Sequence, residues 1–442
     1  MKTLLAFTCL ASVWNVGCTQ ELAAQSLQTQ NPTGQPLVIT NARTLDGSGG
    51  LIERGTVVVR DGRIVSVSTG TAPVPEARVI DAQGMTVMPG FIDSHRHLIR
   101  GNPTQWLNEQ AAARMQELLD AGFTTVLSAG DDPEQILELR RRLQQGTIKG
   151  PRLLAAGRIA LARAAAGGNA GGRGGAPAGD PARFDRSRPP LRPTEPAGAI
   201  PAEETRAAVE ATAKAGFDVI KTAIIVTPGG PEKETLALIV KEGKRHGLPT
   251  LTHAVTVEDT LAAVEAGVTT LAHTPHIGHL SEEQARIIAN AGIPMMSTLG
   301  IFVPAFSNDN QPLFRDRGPF PFETLSSGGQ GPVNARLLWE AGITYGYGTD
   351  TSWLPKDALA QELRPLNLVF SPKDIVRILT RNAAVAIGRS DQLGTLEAGK
   401  VADIVILTGD PLANVSNLLN VAVVIKEGRI VVDHRGPTRA GR

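Results

Sequence analysis

A repeating succession of amphipathic and apolar stretches occupies the middle of the chain. Stretches with helical spacing, such as Glu203–Ala215 and Glu282–Ala291, run into a Gly that is followed by a short, mainly apolar stretch. A Gly just beyond a helix caps it, because Gly takes positive φ at no steric cost. A short apolar run without alternation is typical of a strand buried on both faces. The pattern therefore predicts alternating strands and helices around a parallel sheet.

The number of repeats indicates which parallel fold forms. Eight predicted strand–helix units fill residues 86–390, with the first strand predicted over Val87–Asp93. This number favours an α/β fold of the (β/α)8 TIM barrel type. An open, doubly wound sheet is the alternative. No glycine-rich dinucleotide fingerprint follows any of the predicted strands, however, so nothing in the sequence favours that alternative.

The two flanks of the repeat have a different pattern. Leu37–Val79 and Asp403–Asp433 alternate apolar and polar residues, which is typical of antiparallel strands. Residues 57–65 and 423–431 are near-copies of one hairpin, with turns at Asp61-Gly62 and Glu427-Gly428. We therefore expect a small β-sandwich domain formed by both chain ends, residues 25–85 and 391–442, with the barrel inserted between them.

The amino-terminal residues are typical of an export signal. Lys2 precedes the apolar run Leu4–Trp14, which is too short to span a bilayer and suits the core of a signal peptide over residues 1–24. The protein is thus expected to be exported, either periplasmic or secreted, and Cys18 offers an alternative as a lipoprotein attachment site. No later run of eighteen apolar residues occurs, so no transmembrane segment is predicted.

One long segment interrupts the barrel pattern between the third and fourth strands. Residues 162–200 are rich in Gly, Pro and Ala and contain a single aromatic residue, Phe184. Such a composition buries too little apolar area to offset the entropy lost on ordering. We expect a mobile loop that serves as a solvated linker or as a lid over the site.

Charge and cysteine content exclude several classes of function. The net charge is +1, with 44 basic against 43 acidic residues, so no overall field favours nucleic acid and none is expected as a partner. Both cysteines, Cys9 and Cys18, lie within the first eighteen residues. The body of the protein therefore has no thiolate ligand and no cysteine nucleophile. Any metal there must be held by nitrogen and oxygen donors.

Chemically active residues recur at the predicted strand ends, where TIM barrels carry their active sites. These residues are His95, His97, Lys221, His253, His273 and Asp350. His95 and His97 are two apart on extended chain, so both side chains point the same way. Each residue alone could be an ordinary polar side chain or a helix cap. Together, four imidazoles and a carboxylate at four strand ends, with Lys221 at a fifth, indicate a metal site.

Two stretches resemble a known family. Residues 89–98, Pro-Gly-Phe-Ile-Asp-Ser-His-Arg-His-Leu, resemble the first-strand signature of the amidohydrolase superfamily, and residues 393–405 resemble its return into the small β domain. The order His-x-His, Lys, His, His, Asp matches the binuclear subtype. The chain is most similar to the imidazolonepropionase-like branch, which includes metal-dependent dipeptidases acting on Xaa-Pro or related N-acyl amino acids.

The resemblance implies a set of cofactors and roles. Lys221 would be carbamylated by CO2 and would bridge two divalent metal ions, with Zn expected and Mn, Co or Fe as alternatives. The metals would share a hydroxide, and Asp350 would take its proton and pass it to the leaving amine. His276 or His279 would help to polarise the substrate carbonyl. The side chains expected to contact substrate are Arg96, His279 and Trp353.

The predicted function is hydrolysis of the amide bond of a small molecule, a dipeptide or an N-acyl amino acid. One alternative is a mononuclear deaminase or cyclic-amide hydrolase. Such enzymes commonly carry a Glu shortly after the fifth-strand His, whereas here the first acid after His253 is Glu258. Another alternative is an inactive binding protein on the same scaffold, although such proteins usually lose several ligands. The sequence leaves a homo-oligomer open.

Overall fold

The computed structural model describes residues 35–70, 74–163, 195–302 and 327–435. It contains two sheets: an eight-stranded parallel sheet that forms a nearly closed barrel, and a second sheet built from both chain ends. The TIM-barrel prediction is therefore confirmed. The predicted signal peptide and most of the low-complexity segment, residues 164–194, lie outside the described residues.

Eight consecutive strands form the barrel, and neighbours in sequence are neighbours in space. They are β6 (Phe91–Arg96), β7 (Phe123–Ser128), β8 (Arg152–Arg158), β9 (Val219–Ala223), β10 (Thr250–His253), β11 (Thr270–Ala272), β12 (Met295–Met296) and β13 (Tyr345–Gly346). Backbone hydrogen bonds between the first and last strands close the ring. Ser94 N donates to Tyr347 O at 2.9 Å, and Thr349 N donates to His95 O at 3.0 Å. The carboxyl ends of all eight strands thus meet at one rim.

Helices cover the outside of the barrel. They are α1 (Pro103–Glu109), α2 (Ala111–Asp120), α3 (Pro133–Gln144), α4 (Ala202–Lys214), α5 (Glu232–Arg245), α6 (Val257–Glu265), α7 (Glu282–Asn290), α8 (Ser327–Glu340), α9 (Pro355–Val369), α10 (Pro372–Arg377) and α11 (Ala383–Ala386). A π-helix spans Ile378–Asn382 and a 3-10 helix spans Val415–Leu419. Gly216 follows α4 with φ of +79° and Gly267 follows α6 with φ of +72°, as the caps predicted from the repeat require.

The first predicted barrel strand is divided in the structure. The sequence predicts one strand over Val87–Asp93, but β5 (Thr86–Pro89) belongs to the terminal sheet and β6 begins at Phe91. Gly90 separates them, and a Cβ atom there would lie 2.5 Å from Thr124 Cγ2. The side chain of Thr124 lies on the second barrel strand, β7. Its close approach explains why a glycine stands at the junction between the two sheets.

The terminal sheet contains β1 (Leu37–Leu45), β2 (Leu51–Arg60), β3 (Arg63–Thr69), β4 (Arg78–Asp81), β5, β14 (Ile404–Leu407), β15 (Val421–Lys426) and β16 (Arg429–Asp433). All of them join in a single sheet around one apolar core that both chain ends supply. The prediction of purely antiparallel pairing was wrong for β1, which pairs parallel with β4 and with β5. The two predicted hairpins form, and their turns pack against each other at Gly62 and Gly428.

Candidate metal centre

The six side chains predicted to bind metal lie together at the carboxyl-end rim of the barrel. They are His95 on β6, His97 directly after β6, Lys221 on β9, His253 on β10, His273 directly after β11 and Asp350 after β13. Strand register determines how far along the barrel axis each side chain lies. His253, for example, pairs with Ala272, one residue before His273. Contacts among them, given below, connect all six into one group.

His95 lies at the centre of this group. Its Nε2 atom is 3.4 Å from Asp350 Oδ1 and 3.4 Å from Lys221 Nζ, and its ring centroid is 5.0 Å from that of His273. Burial, followed by the charge of Lys221, lowers the pKa of His95 to about 3 against the opposing effect of Asp350. His95 is therefore neutral near pH 7, which is the form of imidazole that binds metals.

Asp350 connects the two histidines of the first strand. Its Oδ1 atom is 3.1 Å from His97 Nε2 as well as close to His95, and its backbone N donates to His95 O at 2.7 Å. Burial alone would raise the pKa of Asp350, but hydrogen bonds from both imidazoles hold it well below its usual value. The carboxylate is thus ionised. Its φ of +51° is uncommon for a residue with a side chain and marks a constrained position.

His97 lies between two carboxylates. Asp350 contacts its Nε2 atom, and Asp131 Oδ1 is 3.7 Å from its Nδ1 atom. Asp131 is itself fixed by Leu98 N at 2.8 Å and by Ser128 Oγ at 2.7 Å. Burial would lower the pKa of His97, but the two carboxylates outweigh it and raise the pKa to about 9. The two carboxylates thus stabilise a positive charge beside His97, as a cation site requires.

His273 links the remaining histidine to the wall of the barrel. Its Nε2 atom is 2.7 Å from His253 Nδ1, and its Nδ1 atom is 2.7 Å from Thr298 Oγ1. Burial, with the nearby His253, lowers the pKa of His273 well below 6.5. The φ angles of His273 and Thr298 are +77° and +41°. Unusual backbone conformations on both partners fix the direction in which this imidazole points.

Lys221 is buried beside His95. Burial disfavours the charged form of its amine. Burial lowers its pKa to about 7; Asp350 opposes this effect and Arg158 adds to it. A substantial fraction of the amine is therefore neutral at physiological pH. A neutral amine is nucleophilic, so Lys221 is chemically different from the exposed lysines of this chain.

The residues present fit a divalent cation. Ligand atoms of His95, His273 and Asp350 all lie within 4.8 Å of one another. The set combines neutral imidazoles with an ionised carboxylate, and its donors are all nitrogen or oxygen, which suits zinc and similar ions. Nδ1 of His95 is buried and has no hydrogen-bond partner among the described residues. The other ring nitrogen, Nε2, is the one that faces Lys221 Nζ and Asp350 Oδ1 and would reach a cation held by this group.

Arg96, predicted to contact substrate, is instead buried between strands. Its Nη1 atom is 3.3 Å from Asp93 Oδ2 and 3.3 Å from Thr349 Oγ1, and its Nη2 atom donates to Trp353 O. Asp93 also accepts a hydrogen bond from Thr349 Oγ1 at 2.8 Å. These contacts join the first and last barrel strands and favour a role in positioning His95 and Asp350. Its binding of substrate stays a prediction.

The other predicted substrate residues lie on loops of the same rim. His276 is buried and its ring stacks on Phe302 with centroids 3.5 Å apart, whereas His279 is exposed. Trp353 is half-buried, and its backbone N donates to Thr351 Oγ1 at 2.8 Å. The roles of these three residues in catalysis and substrate binding remain predictions.

Two supporting residues, Asp131 and Thr298, were not found by sequence reasoning. Asp131 follows the second barrel strand and Thr298 follows the seventh, so both obey the strand-end rule that identified the histidines. Glu362 on α9 holds the strand-end segment around Thr298, because it accepts from Ser297 Oγ at 2.6 Å and from Leu299 N at 2.9 Å. Acids and threonines are too common at strand ends for this signal to be specific.

Comparison with known proteins places the chain among metal-dependent hydrolases. Residues 86–431 match the Amidohydrolase family. Curated relatives include the imidazolonepropionase of Geobacillus kaustophilus (strain HTA426), which is 27% identical over 90% of this chain and 98% of that protein. The imidazolonepropionase of Salinispora arenicola (strain CNS-205) is 28% identical over 84% of this chain and 90% of its own length.

Solved structures share the fold over nearly its full length. Phenylurea hydrolase B superposes with a TM-score of 0.70 at 25% identity, covering 90% of this chain and 97% of that one. A Xaa-Pro dipeptidase with bound methionine has a TM-score of 0.70 at 24% identity, covering 90% and 99%. No helix in the described part of the chain is both long and apolar enough to cross a membrane.

Proposed function

The chain belongs to the amidohydrolase family, and we propose that this hydrolase of carbon–nitrogen bonds cleaves the amide of a dipeptide or an N-acyl amino acid with two metal ions. The observation that carries the proposal is the position of Lys221, whose Nζ atom is 3.4 Å from His95 Nε2 inside the histidine–aspartate group. The substrate class follows from the resemblance of residues 89–98 and 393–405 to the branch that includes metal-dependent dipeptidases.

Six side chains would hold the metals: His95, His97, Lys221, His253, His273 and Asp350. Two divalent ions, with zinc favoured by the imidazole-rich set, would polarise the substrate carbonyl and make a water molecule nucleophilic near neutral pH. Asp131 keeps His97 oriented and Thr298 keeps His273 oriented, so the imidazoles present fixed nitrogen atoms. Mn, Co and Fe suit the same donors.

Lys221 contributes an anion in this proposal. Its neutral amine adds to CO2: the new N–C bond forms, one N–H proton is lost to solvent, and a negatively charged carbamate results. An anion at this point offsets the repulsion between two nearby cations. The lowered pKa of Lys221 supports this step, because the protonated amine has no lone pair with which to attack CO2.

Asp350 transfers the proton in this proposal. Its carboxylate is ionised and held in place by His95 and His97. During attack on the amide carbonyl, Asp350 accepts a proton from the attacking water and then donates a proton to the nitrogen of the departing amine. His276, on the loop after β11, would assist at the carbonyl oxygen.

A mononuclear reaction on a cyclic amide is the second candidate, because several curated relatives are named imidazolonepropionases. The local sequence argues against it. After His253 no acid occurs before Glu258, where a proton-shuttling Glu would be expected sooner. A mononuclear site would also leave Lys221 without a role.

Metal analysis followed by a substrate screen tests the proposal. The purified chain is reconstituted with Zn or Mn, and bound metal is counted per chain. It is then assayed with Xaa-Pro dipeptides, N-acyl amino acids, cyclic amides and aminated heterocycles, with amine and ammonia release measured separately. We expect two metals and amine release. One metal with ring opening or ammonia release would favour the second candidate, and no turnover of any substrate would indicate an inactive binding protein.

The amino-terminal sequence carries a separate proposal about location. The apolar run Leu4–Trp14 after Lys2 supports export of the chain. Fractionation of producing cells and sequencing of the mature amino terminus test this. A new terminus near residue 25 is expected, and a lipid-modified Cys18 would indicate a lipoprotein instead.

A further inference from the structure

A guanidinium group stands on the rim of the barrel outside the group of proposed ligands. Arg158 is the last residue of β8 and pairs in register with Lys221 of β9. Residues that pair in register on parallel strands direct their side chains to the same face of the sheet. Arg158 and Lys221 therefore share a face, and for Lys221 that face is the interior of the barrel.

Neighbouring glycines confirm this orientation. A Cβ atom at Gly157 would lie 2.7 Å from Thr212 of α4 and 3.0 Å from Phe217, so position 157 faces the helices. Position 158 must then face the barrel axis, because successive residues of a strand alternate. The Arg158 side chain runs over Gly130, where a Cβ would lie 2.7 Å from Arg158 Cγ. It thus extends from β8 over Gly130, the residue that precedes Asp131 in the segment after β7.

The surroundings leave the charge of Arg158 available to a ligand. Arg158 is exposed, and among the residues that the structure describes no carboxylate forms an ion pair with it. The neighbouring Asp131 is engaged with Leu98 N, Ser128 Oγ and His97. The influence of Arg158 on the pKa of Lys221 shows that the two groups are close enough to interact.

We propose that Arg158 binds a carboxylate of the substrate beside the scissile bond, so that the enzyme selects amides carrying a free carboxylate over neutral amides. This inference rests on the proposed function. Arg158 lies in the sector of the rim between His97 and Lys221, where β7 and β8 supply no proposed metal ligand. A carboxylate is the anion that the planar guanidinium fork matches in a bidentate manner.

Matched substrates and variants test the assignment. The zinc-loaded enzyme is assayed with N-acetylated amino acids and dipeptides, each against its carboxamide. Arg158→Met removes the charge, Arg158→Lys keeps the charge without the fork, and Arg245→Met is the control. Arg245 is an exposed guanidinium in the last turn of α5, bound to Glu242 and at the opposite end of the barrel. Bound metal and the carbamate signal of Lys221 are measured for every variant.

We expect the wild type to prefer the free acid, and Arg158→Met to reduce that preference roughly 10- to 100-fold, mainly through KM, as loss of a charged hydrogen bond would. Arg158→Lys should retain part of the preference and Arg245→Met all of it. A wild type that prefers the carboxamide would overturn the assignment while the proposed function stands. An equal loss on both substrates, or a loss of metal or carbamate, would also overturn it.

A binding measurement separates failure of this inference from failure of the proposed function. If no amide is cleaved, thermal stabilisation of the zinc-loaded protein by an N-acetylated amino acid and by its carboxamide is compared in wild type and Arg158→Met. Stabilisation by the acid alone, lost in the variant, would support a carboxylate site at Arg158 in a protein with another activity. Equal responses in the two proteins would refute it.

Discussion

Replacement of Lys221 by methionine is the sharpest test of the binuclear centre. Burial lowers the pKa of Lys221 to about 7, with Asp350 opposing and Arg158 adding to this effect. At pH 7.5 roughly three quarters of such an amine is neutral, against about a thousandth for a lysine at the ordinary value of 10.5. The site therefore increases the form that reacts with CO2 several hundredfold. Methionine keeps a similar length but cannot form a carbamate.

Two measurements follow the fate of the metals and of the carbamate. Elemental analysis after reconstitution with zinc should give two equivalents per chain for the wild type and one for Lys221→Met. Carbon-13 NMR in labelled bicarbonate should show a carbamate resonance only in the wild type. Lys214→Met is the matched control, because Lys214 is an exposed lysine on α4 that pairs with Glu210, and it should behave as wild type.

The reasoning would be refuted by a folded Lys221→Met protein that still binds two zinc ions. A wild-type protein with two metals but without a carbamate resonance would keep the binuclear site and remove the carbamate from it. A carbamate signal that persists in Lys221→Met would mean that another amine reacts. Circular dichroism and the thermal midpoint of each variant establish that the fold is intact.

Three further predictions concern the other members of the site. Asp350→Asn should keep most of the bound metal and lower kcat by roughly 10²- to 10⁴-fold, because an amide cannot carry the proton; turnover close to wild type would remove Asp350 from that role. His253→Ala should lose both metal and activity, since it removes a nitrogen donor next to His273, and a fully loaded, active variant would strike it from the ligand set. Zinc affinity should rise with pH below about 9. Asp131 and Asp350 outweigh burial and raise the pKa of His97, and the imidazolium of His97 must lose its proton before the metal binds. Titration calorimetry across pH 6–9 measures this, and Asp131→Asn should flatten the dependence; a pH-independent affinity in both proteins would contradict it.

Much of the fold could be predicted from local pattern. The glycine after each helix and the short apolar runs specified the alternation of strands and helices, because capping and burial act over a few residues. The two similar hairpins at the chain ends were equally local, since their Asp-Gly and Glu-Gly turns carry positive φ at both central residues. The break at Gly90 and the parallel pairing of β1 were not predicted, because both depend on contacts with strands distant in sequence.

The candidate site likewise has residues that local sequence predicts and residues that it does not. Residues placed directly on strand ends, such as His95 and Lys221, could be predicted because the barrel brings every strand end to one rim. The partners of these residues could not. Asp131 approaches His97 only through the register of β6 with β7, and the contacts of the Arg96 guanidinium with Asp93 and Thr349 likewise depend on how the strands come together.

The sequence by itself determined which chemical groups reach the rim of the barrel and in what order. Only the tertiary structure decided what each group faces: that His95 lies between Lys221 and Asp350, and that Arg158 shares the interior face with Lys221. The physical reason is that capping, burial and alternation are short-range effects written in neighbouring residues. Distances between strands depend instead on register and side-chain direction, which are fixed when the whole barrel closes.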